Sequence, residues 1–407
     1  MDLALRRLTA DDFDEYFAVD CAAFSATPKP EDRAQAEATT EWDRTFGAFD
    51  GAALCGTAGA YEFAVTLPGG GVVPTSGVTA VAVLPTHRRR GVLTALMQRQ
   101  LADVVERGEV LALLTASEAT IYGRFGYGLA TEDRKIEIVR ARSRFARPTP
   151  DGLATRMITK AEAVERAPAW FDAFRRARVG EVSRPASWWP VIFGDHETWK
   201  GGGDIFVVAC EPTDGRPGGY ASYKVDHERP AGSVLTVRDL VAADADVRGA
   251  LWRFLLDVDL IDTIEASVAP DDDLRWRLVD WRGCRVTGTE DFLWARVVDP
   301  AGALAARRYP VADAYVIELD DPFLPTNSGC YQVAGGPDHA EAERVPPTAD
   351  ADLVMDVSAL GSIYLGGFSP SQLARAGRLA GRSDEVLARA DRFFAAGGPG
   401  PFCSTSF

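Results

Sequence analysis

The sequence predicts an α/β (α+β) chain of three successive units, the first two repeating one order of elements. Three observations carry this. The chain has 407 residues, which at roughly 150 residues per domain suggests two or three domains. Hydrophobic residues make up 46% and charged residues 25%, the proportions of a chain that buries an ordinary core and not of a disordered one. A strand pair, a strand, a helix and a strand occur in that order before residue 147 and again after residue 152.

In the first unit LALRR reads as a strand, and Thr9 with Asp11 and Asp12 as a helix start, because acidic residues suit the positive end of a helix. RTFGAFDGAALCGTAGAYEFAVT reads as two strands turned at Asp50-Gly51, a strong hairpin signal. SGVTAVAVL alternates and is β-branched, and it stops at Pro85. From about Gly91 to Arg107, apolar residues fall at 92/93, 96/97, 101 and 104/105, which is helical spacing. LALLTAS is another buried strand.

Two prolines and a glycine between Arg147 and Gly152 mark a break. The second unit holds a helix over AEAVERAPAWFDAFRRAR, strands GDIFVVAC, GGYASYKVD and SVLTVRDLV, a helix from about Val247 to Val258, and the strand TIEASVA. A third unit follows a break at Asp299–Gly302. It has a strand in ADAYVIELDD, a Gly/Pro-rich turn, a strand at 351–357 and two short helices ending at Phe394. The expected units are 1–147, 148–297 and 298–407.

Charge and side-chain counts narrow the function classes. Lys and Arg total 44 against 59 Asp and Glu, a net charge of −15. That excess argues against a phosphate-backbone or anionic-membrane binder and suits cationic small molecules. The six cysteines (21, 55, 210, 284, 330, 403) form no CxxC pair, and the four histidines (87, 196, 227, 339) are dispersed. Neither a metal site nor a disulfide framework is expected. No signal-peptide core and no membrane-length apolar run is evident, so a reduced, cytoplasmic protein is expected.

The segment from Val78 to Leu101 carries the chemistry. A strand ends, Arg88, Arg89, Arg90 and Gly91 form a loop, and a helix starts. A helix N-terminus has unpaired N–H groups that bind phosphate. Glycine lets a diphosphate approach the backbone, and arginines add charged donors. The pattern has neither the Gly-Lys-Ser/Thr of a nucleotide P-loop nor the three glycines of a dinucleotide fold. In the second unit Asp244 and Asp246 stand where Arg88 and Arg89 stand in the first. Carboxylates repel a pyrophosphate, so only the first unit is expected to bind one. No Cys-His or Ser-His pairing is evident. Cys21 and Cys403 are the remaining nucleophile candidates.

Arg88-Arg89-Arg90-Gly91-Val92-Leu93 resembles the acetyl-CoA motif Gln/Arg-x-x-Gly-x-Gly/Ala of the Gcn5-related N-acetyltransferases (GNAT), with Leu93 departing at the last position. Tyr122-Gly123-Arg124-Phe125-Gly126-Tyr127 resembles a second segment of that superfamily. PTHRRRGVLTALM, SEATIYGRFGYG, LGSIYLGG at 360–367 and the terminal Phe407 together resemble the Eis (enhanced intracellular survival) family over the whole chain. The resemblance implies two tandem GNAT-like domains, the second degenerate, and a C-terminal sterol-carrier-protein-like domain. It implies acetyl-CoA as co-substrate and a homohexamer; from the charge and the dispersed histidines and cysteines, no metal and no nucleic-acid or membrane partner is expected. Cofactor contacts fall on Val81, Ala82 and Val83, on Arg89, Arg90, Gly91, Val92, Leu93 and Thr94, and on Ser117 and Glu118. The general acid falls on Tyr122 and the general base on the terminal carboxylate of Phe407.

Family members acetylate amines of cationic small molecules such as aminoglycosides, at several positions; some acetylate protein lysines. Relatives that modify aminoglycosides tend to be acidic two positions after the residue matching Phe24 and just before the terminal Phe. Here those positions are Ala26 and Ser406, which leaves the acceptor open, with Asp20, Glu41 and Asp43 as possible substitutes. Peptide or protein-lysine acetylation is the alternative on the same chemistry. A non-catalytic lipid-binding or scaffold role, with LGSIYLGGF lining a pocket, is the alternative from another class.

Overall fold

In the computed structural model, which describes residues 3–194, 204–230, 232–347 and 350–407, the N-terminal alternation becomes a twisted sheet. β1 (Leu3–Arg7), α1 (Phe13–Ala23), α2 (Pro30–Thr39), β2 (Phe46–Asp50), β3 (Ala53–Thr66), β4 (Val72–Val83), α3 (Val92–Glu106), β5 (Leu111–Thr115), α4 (Ala119–Tyr122) and β6 (Gly128–Leu129) follow in order. β1 to β4 pair antiparallel, and the β2–β3 turn uses Gly51 at φ +63°, where a side chain would be strained. β4 and β5 are parallel, joined by α3 as crossover. Phe46, Ala48, Cys55 and Ala58 bury against Val92 and Leu96 of α3 on one face. Phe49 and Leu54 bury against Phe13, Tyr16 and Phe17 of α1 on the other.

Chain contacts divide the molecule at Thr131/Glu132 and Glu290/Asp291. The first unit joins the chain up to Thr131 with Asp291–Phe407, and the second is Glu132–Glu290. Two strands therefore cross the limits expected at 147 and 297. Leu293–Val297 lies between β5 and β6 in the first sheet, while Glu132–Val139 lies in the second sheet. Periodicity identifies a strand but not its pairing partner, so the two assignments were beyond reach of the sequence pattern.

The second unit repeats the topology of the first. Strands Phe206–Pro212, Gly219–Asp226 and Val234–Ala242 form an antiparallel meander, and helix Ala245–Asp257 leads to Thr263–Val268, parallel to the third. His196 lies outside the described residues.

The C-terminal part of the first unit corrects three expectations. Asp299 caps a helix, Pro300–Ala306, by accepting from the Gly302 N–H, so the sequence break there is a helix start. The Gly/Pro-rich turn opens a hairpin of Gly329–Gly335 and Ala340–Val345. Three helices, not two, reach Phe394: Val357–Tyr364, Pro370–Arg375 and Asp384–Phe394. They cover a five-stranded sheet of mixed direction.

Candidate active site

β4 and β5 pair only at Ser76–Ala112 and Gly77–Leu113, so the remainder of β4 has no partner in β5. Toward its end β4 shifts register against β3, and Ala80 sits at φ +48°. The Ala80 carbonyl accepts from the Thr57 hydroxyl at 2.9 Å, which holds the bulge. Val81, Ala82 and Val83 thus remain on β4 beside a sheet gap. The arrangement leaves edge amides for a carbonyl or a pantetheine-like chain.

Directly beyond the gap, α3 starts at Gly91, whose φ is +87° and whose missing Cβ faces open space. No side chain caps α3, so the first-turn amides of Val92, Leu93 and Thr94 lack side-chain acceptors. Arg89 and Arg90 are exposed, with Arg89 at φ +60°. Arg88 is turned away, donating to the Ala23 carbonyl at 2.8 Å. These groups fit a pyrophosphate: free amides, a close-approach glycine and two solvent-facing guanidiniums. Ser117 and Glu118 lie between β5 and α4, with Glu118 at the N-cap position of α4.

The second unit shows why the same topology does not suffice. There Asp244 accepts from the Asp246 and Val247 N–H groups at 2.8 and 3.1 Å. The helix start is already occupied by an anion of the chain itself. Arg248 is committed to Asp272, and a Cβ on Gly249 would meet the Arg277 guanidinium at 2.4 Å.

Tyr122 ends α4 and is 6% exposed. It packs with Val78, Met97, Leu101 and Leu114, on the α3 face of the gap. Burial pushes its phenol up to about 12, so it holds its proton at neutral pH. Phe125 and Tyr127 are core, with Tyr127 edge-on to Tyr122 at 5.9 Å.

Phe407 approaches the gap from the opposite face. Its ring packs edge-on to Phe63 at 4.9 Å, and a Cβ on Gly77 would lie 3.2 Å from it. A terminal oxygen accepts from the Thr115 hydroxyl at 2.7 Å. The structure thus brings the C-terminus to the point where β4 and β5 part.

The LGSIYLGG block accounts for that return. A Cβ on Gly361 would lie 2.3 Å from the Ala295 carbonyl, so helix Val357–Tyr364 docks through glycine onto the inserted strand. Gly367 allows close contact with the Ala130 carbonyl and Pro401. Arg307, fully buried, donates to the carbonyls of Tyr364, Phe394 and Ala395, where the tail leaves the last helix. Ile363, Tyr364 and Leu365 are fully buried in the core. Sequence reasoning missed Arg307, Thr115 and Phe63. Nothing local to them signals a role, because each acts on a segment distant in sequence.

The candidate acidic residues separate. Asp43 pairs with Arg107 at 3.2 Å, and Glu41 lies 3.6 Å from Arg44 and accepts from the Glu62 N–H at 3.0 Å. Asp20 alone of the three has no such cation. All six cysteines are buried, and burial raises the Cys21 thiol, which disfavours a nucleophilic thiolate there.

A parallel-strand gap with an open helix start beside it is the cofactor cleft of the GNAT acetyltransferases. Acetyltransferase (GNAT) domain models match residues 4–130 and 180–297, and a sterol carrier protein domain model matches 300–404. An N-acetyltransferase Eis from Mycobacterium tuberculosis is 33% identical, with 98% of each chain covered. An uncharacterized N-acetyltransferase from Streptomyces avermitilis is 38% identical over 93% of each. The crystal structure of Eis1 from Mycobacterium abscessus superposes with a TM-score of 0.87 at 36% identity, covering 99% of this chain and 100% of that one. The chain belongs to the Eis family and is an N-acetyltransferase.

Proposed function

We propose that the protein transfers the acetyl group of acetyl-CoA to amines of cationic small molecules, aminoglycosides among the candidates. The observation that supports this most is the meeting of two groups from opposite faces of one gap: Tyr122 on the α3 side, and the Phe407 carboxylate on the α1 side. Acetyl-CoA supplies a thioester carbonyl and a thiol leaving group. The Phe407 carboxylate takes a proton from the acceptor amine, directly or through water. The amine nitrogen bonds to the carbonyl carbon as the carbon–sulfur bond breaks. Tyr122 donates its proton toward the departing thiolate, and edge amides at Val81–Val83 polarise the carbonyl oxygen.

Arg89, Arg90 and the amides of Gly91, Val92, Leu93 and Thr94 hold the pyrophosphate in this reading, with Ser117 and Glu118 along the cofactor's path. A cytoplasmic setting accords with six buried cysteines outside any disulfide, and a homohexamer follows from the family resemblance. Among the described residues, no helix is long and apolar enough to cross a membrane. The test is a panel of amines, aminoglycosides and lysine peptides, with thiol release read during turnover. Release with small polycations and not with peptides supports the reading, and the reverse selects the protein-lysine alternative. Sedimentation at micromolar concentration checks the hexamer, and a monomer counts against it.

A further inference from the structure

We propose that Arg296, Asp321 and Phe323 are positioning residues for the proton donor Tyr122, so that the C-terminal domain sets the acid as well as delivering the terminal carboxylate. The inference rests on the acetyltransferase reading above, in which Tyr122 protonates the departing thiolate. Tyr122 ends α4, a helix of only 4 residues, too short to hold a side chain in place by its own hydrogen bonds. Its position depends on the turn that follows. There the Gly126 N–H donates to the Gly123 carbonyl at 3.0 Å and the Tyr127 N–H to the Tyr122 carbonyl at 3.3 Å. The chain turns at Gly126 with φ +85°.

Groups from the inserted strand and the C-terminal domain close on that turn. A Cβ on Gly126 would lie 2.8 Å from Arg296 Nε, 2.9 Å from Arg296 Cζ and 2.7 Å from Val357 Cγ1. The turn is therefore clamped between the Arg296 guanidinium and the start of helix Val357–Tyr364. Phe323 packs edge-on to Phe125 at 5.0 Å, and Leu324 joins it against the cluster that holds Tyr122. The Tyr127 hydroxyl is buried and finds no hydrogen-bond partner among the described residues, so packing alone holds that side chain. Its ring meets Tyr122 edge-on and passes the clamp on to the acid.

Asp321 joins these pieces. It and Arg296 are both fully buried, and one guanidinium nitrogen donates to both carboxylate oxygens, at 2.8 and 2.7 Å. The other terminal nitrogen donates to the Val297 carbonyl at 2.7 Å. The carboxylate also accepts from the Leu324 N–H and the Asn327 side-chain amide, each at 3.0 Å. One ion pair thus fixes the Phe323 loop and the Arg296 plane together. A buried ion pair adds little net stability over apolar packing of the same volume. What it adds here is a defined direction for the guanidinium against Gly126.

The test uses full-length protein and steady-state thiol release, with acetyl-CoA calorimetry and melting curves alongside. Phe323→Leu keeps an apolar side chain in the cluster and loses the ring on Phe125. Arg296→Lys keeps a cation for Asp321 and loses the plane against Gly126. Each is expected to lower kcat about tenfold with acetyl-CoA affinity within about twofold of wild type, since a misplacement of about 1 Å can cost about 10²-fold. The decisive measurement repeats Phe323→Leu in a Tyr122→Phe background. A residue that acts through the Tyr122 hydroxyl has nothing further to lose there, so the residual turnover should stay within about twofold. A general loosening of the fold would lower kcat by the same factor in both backgrounds, and that result overturns the proposal. So does a wild-type kcat in Phe323→Leu, which decides the matter alone should Arg296→Lys not fold. Tyr122→Phe at wild-type turnover sinks the acid assignment and the positioning role with it. An impaired Tyr122→Phe with additive losses sinks the positioning role alone.

Discussion

Tyr122 and Asp20 are both pushed upward by burial, with opposite consequences. A phenol at about 12 stays neutral and is ready to donate. Tyr122→Phe removes the hydroxyl and leaves the ring packed in its cluster, so acetyl-CoA affinity by calorimetry stays near wild type. Turnover by thiol release falls roughly 10²-fold or more, the scale for losing a general acid. Unchanged turnover would reduce Tyr122 to a packing residue. For Asp20 the raised folded value means the native state holds the proton more tightly than the unfolded chain. Stability therefore falls as pH rises from about 4 through about 6. The groups acting around it are Tyr16 and Cys21 on α1 and Tyr61 on β3, with Glu41 acting on Tyr61; none is a cation. Asp20→Asn consequently melts above wild type at pH 7.5, and the two converge below pH 4. Melting curves in which the variant is the less stable protein at pH 7.5 would show that Asp20 has a hidden partner.

At the scale of elements, two strand–loop–helix units differ by what sits at the helix start. Gly91 leaves α3 open, whereas Asp244 closes its counterpart. One acetyl-CoA per chain is the expected calorimetric stoichiometry, and cofactor at 244–250 in a crystal would contradict it. Gly91→Asp places a strained residue and a negative charge where the pyrophosphate is expected, and it should abolish binding. Asp244→Ala removes a cap and costs about 1 kcal/mol of stability, without creating a second site, because Arg248 and Arg277 remain committed. This contrast was legible in the sequence because residue chemistry and loop position are local. So was α3, placed within a residue at each end by its apolar spacing. The exchange of Glu132–Val139 and Leu293–Val297 between sheets was not legible. Glu132–Val139 alternates while Leu293–Val297 is buried on both faces, and in both cases the partners are fixed by pairings across more than a hundred residues.

Across the whole molecule, the C-terminal domain delivers the end of the chain to the first sheet. Most C-termini fray, but this one is anchored in stages. Arg307 grips the carbonyls at its root, Gly367 admits Pro401 in its middle, and Phe63 with Thr115 receives its last residue. The sequence hinted at this only through a terminal aromatic after a Gly-Gly-Pro-Gly-Pro stretch and through family resemblance, since the receiving residues lie some 300 positions upstream. The anchoring gives a sharp test of the terminal carboxylate. Deleting Phe407 draws the charge back by about 3.5 Å along an extended chain and removes the ring on Phe63. A C-terminal tag removes the charge and keeps the ring. The first change perturbs both packing and chemistry, and the second keeps the ring while removing the charge and obstructing the gap. Acetyl-CoA is expected on the α3 side of the gap, away from the tail, so its affinity should stay nearly unchanged in both. Acetyl transfer should be abolished in both. A tagged protein that turned over its amine at the wild-type rate would leave the carboxylate without a catalytic role, and the proton would then have to leave through water or Glu118.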